Sequence, residues 1–192
     1  MTHLAGAGFP VPRVYQAEGR DLIMERLNGV DMLADLGRRP WLAARYGRQL
    51  ASLHNRLHQI EAPAGLRTLL GPGDRVLHLD LHPANVMLTA RGPYVIDWSN
   101  ASAGPPGADV AMAYVIIASS DTDLLPSRLR PAIRVLRAIL LRQFLATVTD
   151  DPAPHLVRVS AERMKDPNVR PAEAVRLRRI IERAGGDQAS IS

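Results

Sequence analysis

The chain has 192 residues, enough for one domain or for one domain with a fragment of another. Its hydrophobic content of 46% is typical of a globular protein, and the absence of cysteine excludes disulfides and thiolate metal sites. The start of the chain has no signal-peptide pattern, and the longest apolar stretch, residues 110–118, is far shorter than the roughly 20 residues that span a bilayer. We therefore expect a cytoplasmic protein with no membrane partner.

The net charge of +5 comes from 24 basic and 19 acidic side chains, and Lys165 is the one lysine. The positive excess falls in residues 121–192, where it would attract anions or nucleic acid. Acidic residues alternate with the basic ones in this segment, so solvated helix faces are the simpler interpretation. Interleaved aromatic side chains are lacking, so we do not expect a nucleic-acid partner.

The first part of the chain combines short strands with one helix. A brief strand is predicted over 13–16 and a longer one over 20–27, which ends at the strong turn signal Asn28-Gly29. Leucine and tyrosine side chains then recur at spacings of three and four, which predicts a helix over 40–59.

The rest of the chain is predicted to be mostly helical after three short strands at 75–79, 86–88 and 94–96. Arg91-Gly92-Pro93 separates the last two strands, which predicts a hairpin. A strongly apolar segment predicts a buried helix over 108–119, and apolar residues on one side predict a helix over 129–148. Two shorter helices are expected over 153–165 and 171–184. The fold class is therefore α+β and mostly α.

The polar residues most suggestive of chemistry lie in His78-Leu79-Asp80-Leu81-His82-Pro83-Ala84-Asn85 and in Ile96-Asp97-Trp98. Phosphoryl transfer needs metal ions that neutralise phosphate charge and a carboxylate that orients or deprotonates the attacking hydroxyl. An Asp in a loop, an Asn five residues later and an Asp after a hairpin match the kinase pattern H-x-D-x-x-x-x-N and its following metal-binding Asp. Each residue alone is typical of a turn or cap, but their joint spacing favours a phosphotransferase.

These motifs resemble those of the aminoglycoside phosphotransferase and choline kinase group, which shares the protein-kinase-like fold. The group's loop commonly reads His-x-Asp-x-His-x-x-Asn, and His82 stands at the second His. Asp97-Trp98 takes the place of the Asp-Phe of protein kinases. Residues 104–111, Gly-Pro-Pro-Gly-Ala-Asp-Val-Ala, resemble the group's Gly-Asp-Pro-x-x-Asp-Leu-Ala, with Pro105 where the group often has Asp.

The resemblance implies an ATP-dependent enzyme that requires Mg²⁺ and phosphorylates a small-molecule hydroxyl. Asp80 would be the catalytic base, while Asn85 and Asp97 would bind the metal. The excess of arginine disfavours a polycationic aminoglycoside as acceptor and favours a neutral or anionic hydroxyl compound.

Five further residues are considered with this loop. His78 and His82 complete the candidate catalytic set, His78 as a support of the loop rather than a base, and His82 in contact with the loop backbone or the substrate. Asp109 would brace the catalytic loop, although an Asp at a helix start is also a plain N-cap. His54 and His58 are spaced for a metal site, but no third ligand is near in sequence, so we interpret them as structural.

The first residues resemble the end of a kinase N-terminal lobe. Residues 8–12 match the segment before its fourth strand, and residues 22–29 match its fifth strand and hinge. The resemblance implies that hinge backbone groups bind the adenine of ATP, with candidate residues Met24, Glu25, Arg26 and Leu27. The implied division is an N-lobe remnant in 1–30 and a helical C-terminal lobe, with catalytic loop and metal-binding hairpin, in 31–192.

Kinases also carry a Gly-rich phosphate loop and a strand Lys ahead of this point, and neither has a counterpart in the chain. Two hypotheses follow: a small-molecule kinase, or a truncated kinase-like binding module with weak or no activity. The absent strands would leave an exposed sheet edge, through which the chain would self-associate.

Overall fold

The computed structural model describes residues 1–19, 21–120 and 126–189. A short helix, α1 (Thr2–Gly6), precedes an antiparallel hairpin of β1 (Val14–Glu18) and β2 (Asp21–Met24). The strand predicted over 20–27 is thus shorter, and Arg20 lies outside the described residues. The apolar side chains of Tyr15, Leu22 and Ile23 on this hairpin are exposed, and self-association through the hairpin stays a prediction.

A short strand and two helices follow the hairpin. They are β3 (Gly29–Asp31), α2 (Met32–Arg38) and α3 (Ala43–Leu57), with a 3-10 turn at Pro40–Leu42 before α3. The Asp31 carboxylate accepts a hydrogen bond of 2.7 Å from the backbone amide of Ala34, so it caps the start of α2. Helix α2 is not among the helices predicted from the sequence, although this capping Asp ahead of an apolar segment was a usable signal.

Two small antiparallel sheets surround the predicted catalytic loop. β4 (Arg75–Leu77) pairs with β7 (Ser102–Gly104), a strand that the sequence did not indicate. β5 (Val86–Thr89) and β6 (Gly92–Val95) form the predicted hairpin, and β3 pairs with the other edge of β5. The chain between β4 and β7 therefore leaves one sheet, forms the second, and returns to the first.

Four helices complete the structure, close to the predicted positions. They are α4 (Pro106–Ser119), α5 (Arg130–Leu145), α6 (Leu156–Arg163) and α7 (Pro171–Ala189). Among the described residues, no helix has the length and apolar character required to cross a membrane. The predicted fold class, α+β and mostly helical, is confirmed, whereas a domain division at residue 30 stays a prediction.

The buried side chains form two clusters, one on each side of the catalytic loop. The first joins α3 to α5 and includes Leu50, Leu57 and Phe144. The second lies between α4, α6 and α7 and includes Val115 and Leu177. Because both clusters border the loop, the loop is anchored by apolar packing from two directions.

Helices α3 and α5 approach most closely at Gly47. A Cβ atom built on this glycine would lie 2.3 Å from the backbone oxygen of Leu140 and 3.1 Å from the backbone nitrogen of Phe144. The neighbours are backbone atoms, so they cannot move aside without a shift of the whole helix.

We predict that Gly47→Ala lowers the free energy of unfolding by about 1–3 kcal/mol, because the added methyl group forces α3 away from α5. Gly37→Ala in α2 is the matched control, since a Cβ there meets nothing within 4 Å. The control should leave stability unchanged or raise it by up to about 1 kcal/mol through helix propensity. Urea denaturation of both variants is the measurement, and equal stabilities would contradict the close packing at Gly47.

Candidate active site

The loop after β4 carries Asp80 at its centre, and each neighbour of Asp80 enters a different core cluster. Leu79 packs into the cluster of α4, α6 and α7, while Leu81 packs into the cluster of α3 and α5. The Asp80 side chain keeps 21% of its surface exposed. Its two leucine neighbours therefore fix the backbone on both sides of a carboxylate that remains open to a ligand.

Two hydrogen bonds from Asn85 and a close contact with His82 orient Asp80. The Asn85 amide nitrogen donates to the Asp80 carbonyl oxygen at 2.8 Å and to its carboxylate Oδ2 at 3.0 Å. The His82 Nε2 atom lies 3.4 Å from the other carboxylate oxygen. Burial would raise the pKa of the Asp80 carboxyl, but its interactions with His82 and Asn85 outweigh it and lower that pKa. Asp80 is therefore ionised at neutral pH and can accept a proton.

Asp97 lies beside Asn85 because the backbone amide of Ile96 donates to the carbonyl of Asn85 at 3.0 Å. Asp97 has a φ of 60°, a rare backbone conformation for a residue other than glycine. The Ser99 hydroxyl donates to Asp97 Oδ1 at 2.7 Å and fixes that carboxylate. Backbone strain at a polar side chain of this kind is typical of functional sites.

The oxygen atoms of Asn85 and Asp97 suit a hard cation. The Asn85 amide nitrogen is hydrogen-bonded to Asp80, so the amide oxygen of Asn85 is the atom left to bind a cation. In the described part of the chain, no group of three or more His, Cys, Asp or Glu side chains could hold a metal ion alone. Mg²⁺ often takes only one or two protein ligands and completes its shell with water and phosphate, so these two residues fit that donor set.

His78 uses both ring nitrogens inside the protein. Its Nε2–H donates to the carbonyl of Ile96 at 3.0 Å, and its Nδ1 accepts from the backbone amide of Asp80 at 3.2 Å. Its ring packs against Trp98 with centroids 4.4 Å apart. Burial lowers the pKa of His78, so the ring is neutral and ties the hairpin to the loop.

The carboxylate of Asp109 at the start of α4 lies against the same loop. It accepts from the backbone amide of Leu79 at 2.7 Å and from that of His78 at 3.2 Å. Leu79 has a φ of 60°, which costs about 1–3 kcal/mol for a residue with a side chain. The two hydrogen bonds to a charged acceptor offset this strain.

A buried histidine, His58, links Asp109 to a second carboxylate. Its Nε2 lies 3.1 Å from Asp109 Oδ2, and its Nδ1 lies 2.8 Å from Asp150 Oδ2. Burial lowers the pKa of His58, but the hydrogen bonds to the two carboxylates outweigh it and raise that pKa. The Asp109 carboxyl is buried too, and its hydrogen bond with His58 holds its pKa well below the usual range despite that burial.

His54, one helical turn before His58, has a different protonation state. It is fully buried, its Nδ1 donates to the carbonyl of Leu50 at 3.0 Å, and its Nε2 has no hydrogen-bond partner among the described residues. Burial lowers the pKa of His54 to about 4. His54 is therefore neutral, next to a charged His58.

The hinge segment contacts the β5–β6 hairpin through Glu25. The Glu25 carboxylate pairs with Arg91 in the turn of that hairpin, and this bond to Arg91 lowers the pKa of Glu25. The Glu25 amide donates to the carbonyl of Arg13 at 2.7 Å. Within the described chain, the Glu25 carbonyl and the Leu27 amide take part in no backbone hydrogen bond, which leaves them for a ligand. The side chains of Met24 and Arg26 are exposed.

The structure brings Asp80, His82, Asn85 and Asp97 together, with His78 behind them. The sequence analysis considered His58 only as a structural or metal residue and did not identify Asp150 at all. The spacing of His54 and His58 was the available signal, but it could not indicate which ring contacts Asp109.

Residues 64–145 match the model of the phosphotransferase enzyme family, a segment that runs from the loop before β4 to the end of α5. Fifty-eight chains in solved structures match significantly. An aminoglycoside-3'-phosphotransferase of type VIII is similar in fold, with a TM-score of 0.53 and 19% identity over 95% of this chain and 77% of that one. No curated protein sequence matches significantly.

Two other solved structures also align over most of the chain. A choline/ethanolamine kinase family protein from Mesorhizobium loti has a TM-score of 0.48 and 14% identity, over 96% of this chain and 76% of that one. A glucosamine kinase in complex with glucosamine, ADP and inorganic phosphate has a TM-score of 0.46 and 15% identity, and this chain spans 63% of its length. The predicted resemblance to the aminoglycoside phosphotransferase and choline kinase group is confirmed.

Because His54 is neutral in the folded chain, we predict that the free energy of unfolding falls in mild acid. Because the unfolded chain protonates this histidine first, its contribution is present above pH 6.5 and is lost as the pH falls toward 4. We expect this histidine to account for about 2 kcal/mol of the free energy of unfolding lost between pH 7.5 and pH 5. His54→Leu should remove that part of the pH dependence in urea denaturation.

The control is His3→Gln, which changes an exposed histidine and should retain the pH dependence of the wild type. An unaltered pH profile in His54→Leu would show that His54 is not held neutral in the folded chain.

Proposed function

Because the chain resembles the phosphotransferase enzyme family in its fold and in residues 64–145, we propose that it transfers the γ-phosphoryl group of ATP to the hydroxyl of a small molecule. The observation that carries the proposal is the ionised Asp80, oriented by Asn85 and His82 and open to a ligand on one side. This reaction depends on positioning and electrostatics more than on covalent chemistry by the protein.

Asp80 acts as the catalytic base. Its carboxylate takes the proton of the acceptor hydroxyl as the hydroxyl oxygen forms a bond to the γ-phosphorus. The bond from that phosphorus to its bridging oxygen breaks, and ADP leaves with the electron pair. The hydrogen bond from Asn85 and the contact with His82 hold the carboxylate in one orientation, so little reorganisation is needed when the acceptor binds.

Asn85 and Asp97 would hold Mg²⁺ through side-chain oxygens. When bound, Mg²⁺ neutralises charge on the transferred phosphate. The strained backbone at Asp97 and the Ser99 hydroxyl bond keep one carboxylate oxygen fixed. Because this metal-binding oxygen is already fixed before the nucleotide binds, the entropic cost of binding is reduced.

The segment from Met24 to Leu27 binds the adenine ring. The Glu25 carbonyl and the Leu27 amide supply one acceptor and one donor, which is the complement that the edge of an adenine ring requires. The Glu25–Arg91 pair holds this segment against the hairpin that carries Asp97, so the sites for adenine and for metal are connected.

We predict that Asp80→Ala lowers phosphoryl transfer by about 10²–10⁴-fold, the usual contribution of a general base. Mg-ATP binding should persist, because the variant keeps Asn85 and Asp97. Release of ADP in the presence of a panel of hydroxyl acceptors measures the rate, and calorimetry measures the binding. The reference is Asp74→Ala, which removes a carboxylate that is 79% exposed and precedes β4, whereas the loop follows that strand. Equal rates in the two variants would exclude Asp80 as the base.

A second prediction concerns the metal. Asp97→Ala should weaken Mg-ATP binding by about tenfold or more, since one of two protein ligands of the metal is lost. Nucleotide binding without Mg²⁺ should change little, because the hinge contacts are intact. If neither the wild-type chain nor Asp97→Ala gives heat with Mg-ATP, the kinase hypothesis is wrong and the alternative of a non-catalytic binding module is favoured.

A further inference from the structure

A cavity of about 320 Å³ lies on the helical side of the catalytic loop. Its walls come from α2, α4 and α5, and its edge at the loop is formed by His82 and Pro83. The volume falls within the range of roughly 300–1,000 Å³ that is typical of small-molecule sites. A ligand there would be enclosed by three helices and would contact the catalytic loop directly.

The cavity is adjacent to the candidate base. His82, which lines it, has its Nε2 3.4 Å from Asp80 Oδ1. A molecule that fills the cavity and contacts His82 is therefore separated from Asp80 only by the His82 side chain. Its hydroxyl can reach the carboxylate while the rest of the molecule stays between the helices.

The walls of the cavity are largely hydrocarbon. Seven of its eleven lining residues are leucine or isoleucine. Ile116, Ile117 and Leu140 are buried, whereas Leu33 at the rim is 53% exposed. An exposed leucine beside a buried apolar surface would be covered by an apolar ligand, and this covering is a source of affinity.

The polar groups of the wall are engaged within the protein. Arg137 donates to the carbonyl oxygens of Ala118 at 3.2 Å and Ser120 at 2.9 Å, where α4 ends. The Ser120 hydroxyl donates to the carbonyl of Ile117 at 2.9 Å. None of the lining residues that the structure describes is a carboxylate. A cationic amine placed against these lining residues would lose its hydration beside the Arg137 guanidinium, which carries the same charge, and this is costly.

We propose, on the premise that the chain is a phosphotransferase, that its acceptor is a compact, uncharged and largely apolar alcohol. The hydrocarbon part fills the cavity between α2, α4 and α5, and the hydroxyl lies against Asp80. At about 30 Å³ for each water-sized group, the cavity holds about ten non-hydrogen atoms. The acceptor oxygen gives its proton to Asp80 and forms the new bond to phosphorus, and ADP is the leaving group.

The test uses the full chain and two probes of similar size, 4-tert-butylcyclohexanol and galactosamine, with kanamycin as a larger polycation. Binding is measured by saturation-transfer NMR without nucleotide, and turnover by ADP release with Mg-ATP. Ile133→Asp places a charge in the cavity wall. Val135→Asp, on the same helix but 61% exposed and outside the cavity, is the matched control. Leu33→Asp at the exposed rim tests the cavity with little risk to folding.

We expect 4-tert-butylcyclohexanol to bind the wild type and Val135→Asp equally, and to bind Ile133→Asp and Leu33→Asp about tenfold more weakly or worse. Its kcat/KM should exceed that of galactosamine by about 100-fold or more. ADP release with galactosamine or kanamycin alone would overturn the proposed acceptor class while leaving the kinase function. Alcohol binding that depends on Ile133 without ADP release would overturn the kinase function while leaving an apolar ligand site. Equal alcohol binding by all four proteins, or none, would overturn the cavity assignment.

Discussion

The buried carboxylate of Asp109 is the interaction on which the catalytic loop depends. It accepts hydrogen bonds from the backbone amides of His78 and Leu79 and from the ring of His58. Helix α4, the loop and helix α3 thus meet at one charge. Because that charge is fully buried, each of its three donors is needed, and removal of the carboxylate would leave all three without an acceptor. The strained backbone at Leu79, and with it the position of Asp80, follows from this arrangement.

The histidines around Asp109 divide into neutral and charged rings. His54 and His78 are held neutral by burial, while His58 is held protonated between two carboxylates. The charged ring therefore lies next to the two acids, and the neutral rings pack against aromatic neighbours, His54 on Phe144 and His78 on Trp98. This division keeps the interior behind the loop close to electrical balance. Such balance is what allows several titratable groups to be buried together.

The loop separates two chemically different surfaces. On one side, Asn85 and Asp97 present oxygen atoms that suit a metal ion and the phosphates it would carry. On the other side, the cavity between α2, α4 and α5 is apolar and ends at His82. Asp80 lies between the two, bonded to Asn85 on one carboxylate oxygen and close to His82 on the other. In the proposed reaction, Asp80 would act from that position as the base on an acceptor in the cavity, while the metal would hold the phosphoryl donor.

The sequence by itself determined the features that are encoded in near neighbours. The β5–β6 hairpin follows from a turn between two apolar segments. The loop can be recognised because Asn85 follows Asp80 at a fixed spacing of five residues. The helical positions of α3 and α5 follow in the same way from the periodicity of their apolar residues, and that of α4 follows from its continuous apolar segment. The family resemblance rests on these local patterns.

Only the tertiary structure decided the contacts that join distant segments. His58 lies 51 residues from Asp109 and 92 residues from Asp150 in sequence, and no local pattern indicates such a pairing. The pairing of β4 with β7 and the apolar cavity likewise form only when helices and strands distant in sequence pack together. The physical reason is that burial decides which charged groups must pair and which apolar surfaces stay accessible to a ligand. Burial itself is a property of the folded chain.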